Sequence, residues 1–229
     1  MTGFNFTSTK ELETTGINIV VYGKSGTGKT SLAKTKDNLI IINFENGLMS
    51  LQGTDIPVFT PKSLEELNSF LDRCAVDKAL PFDTILVDSM TSLAEWIVTE
   101  QKKIVKDARM AYLYMQDTIY QIVNFLVGIK HLNVVFICQE ARVEDNVEGT
   151  ILKGPSFPGK NVGPKIPYLV DCVLHLKNDL TRDPNTQELV KSVYFVTSPT
   201  SNEEGKDRTG KLDLYELPDL TNLFNKIRA

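Results

Sequence analysis

Ile17-Asn18-Ile19-Val20-Val21-Tyr22 runs straight into Gly23-Lys24-Ser25-Gly26-Thr27-Gly28-Lys29-Thr30, and Ser31-Leu32-Ala33-Lys34 follows. The first stretch is an apolar, Val/Ile-rich run, as expected of a buried strand. The second matches G-x-x-x-x-G-K-[ST] without a gap, and the third is helix-like. Strand, glycine-rich turn and helix in that order are the context this motif requires. Its glycines let the backbone wrap so that several N–H groups face one anion, and the helix start adds its dipole. The residues Gly23, Lys24, Ser25, Gly26, Thr27, Gly28, Lys29, Thr30 and Ser31 are therefore expected to cradle a nucleoside triphosphate. Lys29 should reach the outer phosphates, and the Thr30 hydroxyl should ligate Mg2+.

Further apolar runs share the character of the first: Leu39–Phe44, Thr84–Val87 and Val134–Cys138, with Ile56–Thr60 a shorter candidate. Helical patterns separate them. Ser63-Leu64-Glu65-Glu66 has the form of a capped helix start, with the helix running to about Cys74. Residues 111–131 place Leu113, Ile119, Ile122, Val123 and Leu126 at helical spacing. Strands alternating with helices predict an α/β fold with a mostly parallel central sheet flanked by helices. Asp171–Lys177 and Val190–Ser198 flank the turn signal Arg182-Asp183-Pro184-Asn185, which predicts an antiparallel C-terminal hairpin. A last helix is expected from Asp219.

Three of the strands end in polar groups. Asp83–Asp88 closes in an acid suited to the metal, so Thr30 and Asp88 are the expected Mg2+ residues. Asp88 is followed by Ser89, not by a glutamate, so a water-activating base must come from elsewhere. Glu45, after Ile40–Phe44, is the candidate; a solvated strand-end acid is the bland alternative. Val134–Cys138 leads into Gln139, an amide able to sense a terminal phosphate. Strand ends converge on the ligand crevice in sheets of this kind.

Composition narrows the class. The chain has 229 residues, which suits a single domain, and 41% hydrophobic and 24% charged residues, which is ordinary globular usage. Net charge is −4, so the chain as a whole is no basic coat for nucleic acid. Three scattered cysteines and two histidines argue against a disulfide frame or a zinc site, and for a reducing, cytoplasmic compartment. No apolar run nears the ~18 residues of a membrane helix.

Residues 140–167 are rich in Gly and Pro and read as a long flexible loop. From Gly149 to Val170 this segment carries Lys153, Lys160 and Lys165 and no acid. Phe157 and Tyr168 are possible stacking surfaces.

The order of these parts resembles the RecA-type recombinase ATPases: phosphate loop, strand-end Glu45, Asp88-Ser89, strand-end Gln139, then a loop. The resemblance spans roughly residues 15–210. It is strongest to the compact, single-domain RecA-like proteins of phage, a group of AAA-family ATP-binding proteins, on the Gly154–Gly163 loop and Lys206-Asp207-Arg208-Thr209-Gly210. It implies a single RecA-like P-loop NTPase domain over 1–229 that hydrolyses ATP with Mg2+ and acts on single-stranded DNA in recombination or annealing. It further implies Lys29, Glu45 and Gln139 as catalytic residues, and Lys206 and Arg208, in the loop 201–211, as groups reaching a neighbour's ATP. Lys153, Lys160 and Lys165 would touch DNA, and Lys102, Lys103, Lys106 and Arg109 occupy the place of the first DNA loop. A homo-oligomer, ring or filament, joined by a short arm at 1–16 with Phe4 and Phe6, is the expected assembly. A single-strand binding protein is a candidate partner, and the host cytoplasm the compartment if the chain is viral. The competing readings are a P-loop kinase of a small molecule or nucleotide, and a nucleotide-gated binding module with little turnover.

Overall fold

The computed structural model describes residues 16–45, 47–145, 150–182 and 186–229. The expected arm, apart from Gly16, lies outside the described residues, as do Asn46 and the turn residues Asp183, Pro184 and Asn185.

Helices are interspersed among the strands through the first half of the chain. β1 (Asn18–Gly23), β2 (Leu39–Asn43), β3 (Val58–Phe59), α1 (Leu64–Val76), β4 (Thr84–Asp88), α2 (Met90–Lys102) and α3 (Ala108–Gly128) precede a long β5 (Asn133–Asp145). Then come β6 (Thr150–Pro155), the short α4 (Ile166–Leu169), β7 (Cys172–Arg182), β8 (Leu189–Val196), β9 (Lys206–Asp207), β10 (Tyr215–Glu216) and α5 (Leu220–Arg228). The main sheet runs β10-β8-β7-β1-β5-β4-β2-β3. From β7 to β3 every pairing along this order is parallel, while β8 returns antiparallel to β7. The strand carrying Asp88 is thus not next to the phosphate-loop strand; β5, carrying Gln139, lies between them.

Each central strand is buried on both faces because its sequence is apolar on both. On one side Val20, Ile85, Val87 and Phe136 pack with α1, α2 and α3 through Leu67, Leu93, Ile97, Ile119 and Val123. On the other, Ile19, Ile41 and Val135 pack with Leu32 and with Leu223 and Phe224 of α5. A fully buried side chain of this type contributes about 1.5–3 kcal/mol over its exposed state, so both layers are needed to hold the sheet. Leu113, placed on the helical stripe from sequence, instead faces solvent at 51% exposure.

Local capping follows the sequence. Ser63 Oγ accepts from the Glu66 amide, while Glu66 reaches back to the Lys62 amide at 2.8 Å, one residue beyond the usual reciprocal partner. Asp219 caps α5 by accepting from the Asn222 amide.

The helix-like segment after the phosphate loop is a six-residue 3-10 helix, Thr30–Thr35. Its end is met by α5: Thr35 Oγ1 accepts from the Leu220 amide and the Thr35 carbonyl from the Thr221 hydroxyl. One expectation is corrected, that residues 140–167 form one flexible loop. Here β5 continues past Gln139, and β6 pairs with it antiparallel, Ala141 opposite Gly154 and Arg142 opposite Lys153. Backbone pairing between these two arms outweighed the loop-forming composition of the segment around them.

Candidate nucleotide site

β1, β2, β4 and the central part of β5 point the same way, so their ends meet along one edge. Gly23 is in register with Gln139, and Asn43 with Asp88. A side chain on Gly23 would stand 2.4 Å from the Leu176 carbonyl of β7, so the tight passage from strand to loop demands glycine. Gly28 adopts φ of 101°, a conformation only glycine takes without strain. Between them, buried Thr27 pins the loop by donating from its hydroxyl to the Lys24 carbonyl at 2.9 Å.

Lys29 lies within the cradle it closes. Its ammonium donates to the Gly23 carbonyl at 2.7 Å and the Lys24 carbonyl at 2.9 Å. Burial lowers its pKa, while the negative charges of Glu45 and Asp88 oppose that fall. Thr30 Oγ1 donates to Asp88 Oδ2 at 2.6 Å. Asp88 is 2% exposed, and burial raises its pKa; the Thr30 bond and Lys29 pull it back, whereas Glu45 pushes it further up. Two hard oxygen donors held together beside a phosphate cradle suit Mg2+, which uses one or two protein oxygens and takes the rest from phosphate and water. Thr30 and Asp88 therefore fit the metal.

Glu45 follows β2 by two residues, its amide donating to Asn43 Oδ1. Its Oε1 accepts from both the Ser89 hydroxyl and, at 3.0 Å, the Ser92 hydroxyl. The two serines also contact each other at 3.0 Å, and Ser89 caps α2 by accepting from the Ser92 amide. The carboxylate is therefore aimed by the start of α2, and among the described residues no donor reaches Oε2. Ser92 was not singled out from sequence; its place one helical turn after Ser89 was the available signal.

Gln139 is exposed beside Gly23. Its backbone N–H donates to Thr91 Oγ1 at 3.0 Å, and that hydroxyl donates to the Ser156 carbonyl at 2.8 Å. The Ser156 amide in turn donates to the Gln139 carbonyl. Both ends of the β5–β6 hairpin are thereby tied at Gln139 and to α2.

The remaining predicted residues separate. Lys160 and Lys165 are exposed, and Lys165 stands over the Tyr120 ring of α3 at 5.9 Å. Lys153 turns inward, pairing with Glu203 at 3.2 Å. Phe157 is buried at 8% exposure, so it offers no stacking face, whereas Tyr168 is 77% exposed. Lys206 donates to the Pro167 and Val170 carbonyls, both at 2.7 Å, and so closes the end of α4 of its own chain. β9 lies beside Cys172–Val173, near the start of β7 and short of the edge where the phosphate loop sits. Arg208 remains 55% exposed at its side chain, touching the Tyr168 carbonyl and Asp171.

A phosphate cradle at the end of β1, a hydrogen-bonded Thr30–Asp88 pair beside it and an aimed carboxylate define a P-loop nucleotide-binding domain. The chain belongs to the AAA domain family designated AAA_24, which matches residues 15–209. No curated protein matches it. Among solved structures it is similar to the RadB recombinase, with 18% identity over 80% of this chain and 89% of that one and a TM-score of 0.43. Among the described residues no helix is long and apolar enough to cross a membrane.

Proposed function

We propose that the protein is a Mg2+-dependent ATPase that acts on single-stranded DNA, in recombination or annealing of the kind carried out by phages. The observation that carries this reading is the run from Gln139 into the β5–β6 hairpin. One strand links the edge of the phosphate cradle directly to a segment bordered by exposed lysines. Hydrolysis assigns Lys29 to the outer phosphates, Thr30 and Asp88 to Mg2+, and Glu45 Oε2 to taking the proton of the attacking water. When bound, the metal would neutralise phosphate charge.

The DNA face in this proposal joins two segments. Tyr120 of α3 donates to the Asn161 carbonyl, and Lys102 lies over Tyr112, the ring nearest Gly159. These contacts support one continuous surface containing Lys102, Lys160 and Lys165. A cleft of about 690 Å³ beside it is lined by Arg142, Ile151, Leu152, Phe157 and Lys160. Backbone phosphates would meet the lysines, and exposed Tyr168 offers a stacking surface.

A homo-oligomer, with Arg208 reaching the neighbouring ATP, belongs to the same proposal. Lys206 plays its part there by holding α4 and so Tyr168. A single-strand binding protein is a candidate partner, and the cytoplasm, the host's if the chain is viral, is the proposed compartment. The deciding experiment is ATP turnover with and without single-stranded DNA across protein concentration. Stimulation by DNA, rising with concentration, is expected; turnover indifferent to DNA overturns the reading.

A further inference from the structure

Behind the phosphate loop lies a polar cluster that the site above does not use. The His175 ring stacks on Tyr22, with centroids 4.4 Å apart and planes 9° from parallel. Tyr22 is the residue immediately before Gly23. His175 is 3% exposed, and its ring lies between two carboxylates: Nε2 is hydrogen-bonded to Glu140 Oε2 at 2.9 Å, while Nδ1 lies 3.3 Å from Glu203 Oε2 without making a hydrogen bond. Glu203 also holds Lys153 at 3.2 Å and Lys177 at 3.0 Å. The Tyr22 hydroxyl donates to the Glu204 carbonyl, with the Lys153 carbonyl also near at 3.2 Å.

Each member belongs to a different part of the proposed machine. Tyr22 leads into the cradle. Glu140 follows Gln139 and begins the hairpin arm. Lys153 lies on the returning arm, where its amide and carbonyl pair with Asn202 and Glu204. Glu203 precedes β9 and Arg208. A buried group bonded to several elements transmits a shift of any one, because the interior cannot absorb the displacement by deforming freely. Buried charge is costly without a partner, and Glu140, Glu203, Lys153 and Lys177 each have one here, so the loss of one pairing disturbs the others.

We propose that His175 is a positioning residue that couples occupancy of the phosphate cradle to the setting of the β5–β6 hairpin, through its contacts with Glu140 and Glu203. This rests on the proposed function in one respect, that the Gly23–Thr30 cradle binds ATP. The coupling itself does not need DNA.

The experiment is backbone hydrogen exchange over 140–155, with and without a non-hydrolysable ATP analogue and Mg2+. The wild-type chain should show at least a threefold change in hairpin exchange on adding nucleotide. His175→Phe keeps a ring on Tyr22 and removes both polar contacts. It should bind nucleotide within about twofold of wild type yet lose the hairpin response. Glu140→Ala, which cuts one contact only, should do the same and serves if His175→Phe does not fold. His175→Gln, able to donate to Glu140, should restore part of the response. An unresponsive wild-type hairpin, or a full response in folded His175→Phe or Glu140→Ala, overturns the coupling. A coupled hairpin without any single-strand binding leaves the coupling intact and overturns the DNA reading instead.

Discussion

Thr30 and Asp88, 58 residues apart in sequence, share a hydrogen bond of 2.6 Å in which the hydroxyl donates to the carboxylate. The bond joins the first residue of the 3-10 helix to the last residue of β4, across the width of β5. It makes the phosphate cradle and the second acid one site, and under the proposed function it preorganises the two oxygens assigned to Mg2+.

Lys29→Ala should weaken ATP binding by about 10–100-fold, the loss expected for a charge-assisted contact to phosphate. Titration with a fluorescent ATP analogue measures this directly. Affinity within threefold of wild type would remove Lys29 from the site.

Glu45→Gln should retain nucleotide binding and lose about 10²–10⁴-fold in kcat, the range of a general base. Ser89→Ala combined with Ser92→Ala leaves the carboxylate in place but unaimed, so a smaller fall of about tenfold in kcat with little change in KM is expected. Steady-state hydrolysis assays separate the two, and equal losses would mean that the serines do more than orient.

Lys160→Ala with Lys165→Ala should flatten the salt dependence of single-strand binding by about 1.4 in log–log slope, two contacts at about 0.7 each. Lys153→Ala should leave that slope unchanged and lower thermal stability, since its partner is Glu203 inside the fold. Binding isotherms at several salt concentrations would show the reverse assignment if the inward lysine were the DNA contact.

Stability should respond to pH in two opposed ways. Burial works against the Glu203 carboxylate, but Lys177, Lys153 and His175 overcome it and hold its pKa down at about 2, against an ordinary 4.5. Its contribution is therefore complete above about pH 4.5 and lost as pH falls toward 2, a loss that Glu203→Gln should flatten in thermal melts. Burial moves Asp88 upward instead, so its contribution is present below the ordinary carboxylate range and is lost as pH rises through the raised value. Asp88→Asn should accordingly raise Tm near neutral pH while weakening Mg2+-dependent ATP binding. A lower Tm would contradict the buried-charge account.

Arg208→Ala should hydrolyse ATP poorly, and so should Lys29→Ala. If Arg208 acts on a neighbour's nucleotide, mixing the two inactive variants should restore a measurable fraction of turnover, because some interfaces then pair an intact cradle with an intact arginine. A mixture no more active than its components would restrict Arg208 to its own chain.

What the sequence by itself determined was the part of the site written in contiguous residues. Gly23–Thr30 needs no partner to be read, because its glycines and its Lys-Thr pair answer to one ligand, and apolar runs leading to Glu45, Asp88 and Gln139 mark strands whose polar residues gather along one edge of the sheet. Tertiary structure alone decided where the other charges went. Lys153 and Lys160 are both lysines in a glycine- and proline-rich segment, yet β6 pairing turns the first onto Glu203 and leaves the second in solvent. Lys206 and Arg208, two residues apart, part in the same way once the carbonyls of Pro167 and Val170 come within reach of one of them. His175, Glu140 and Glu203 carry no shared spacing at all. They meet because β1 lies between β7 and β5, and a cluster assembled from separate strands and a loop leaves no periodic trace in the chain.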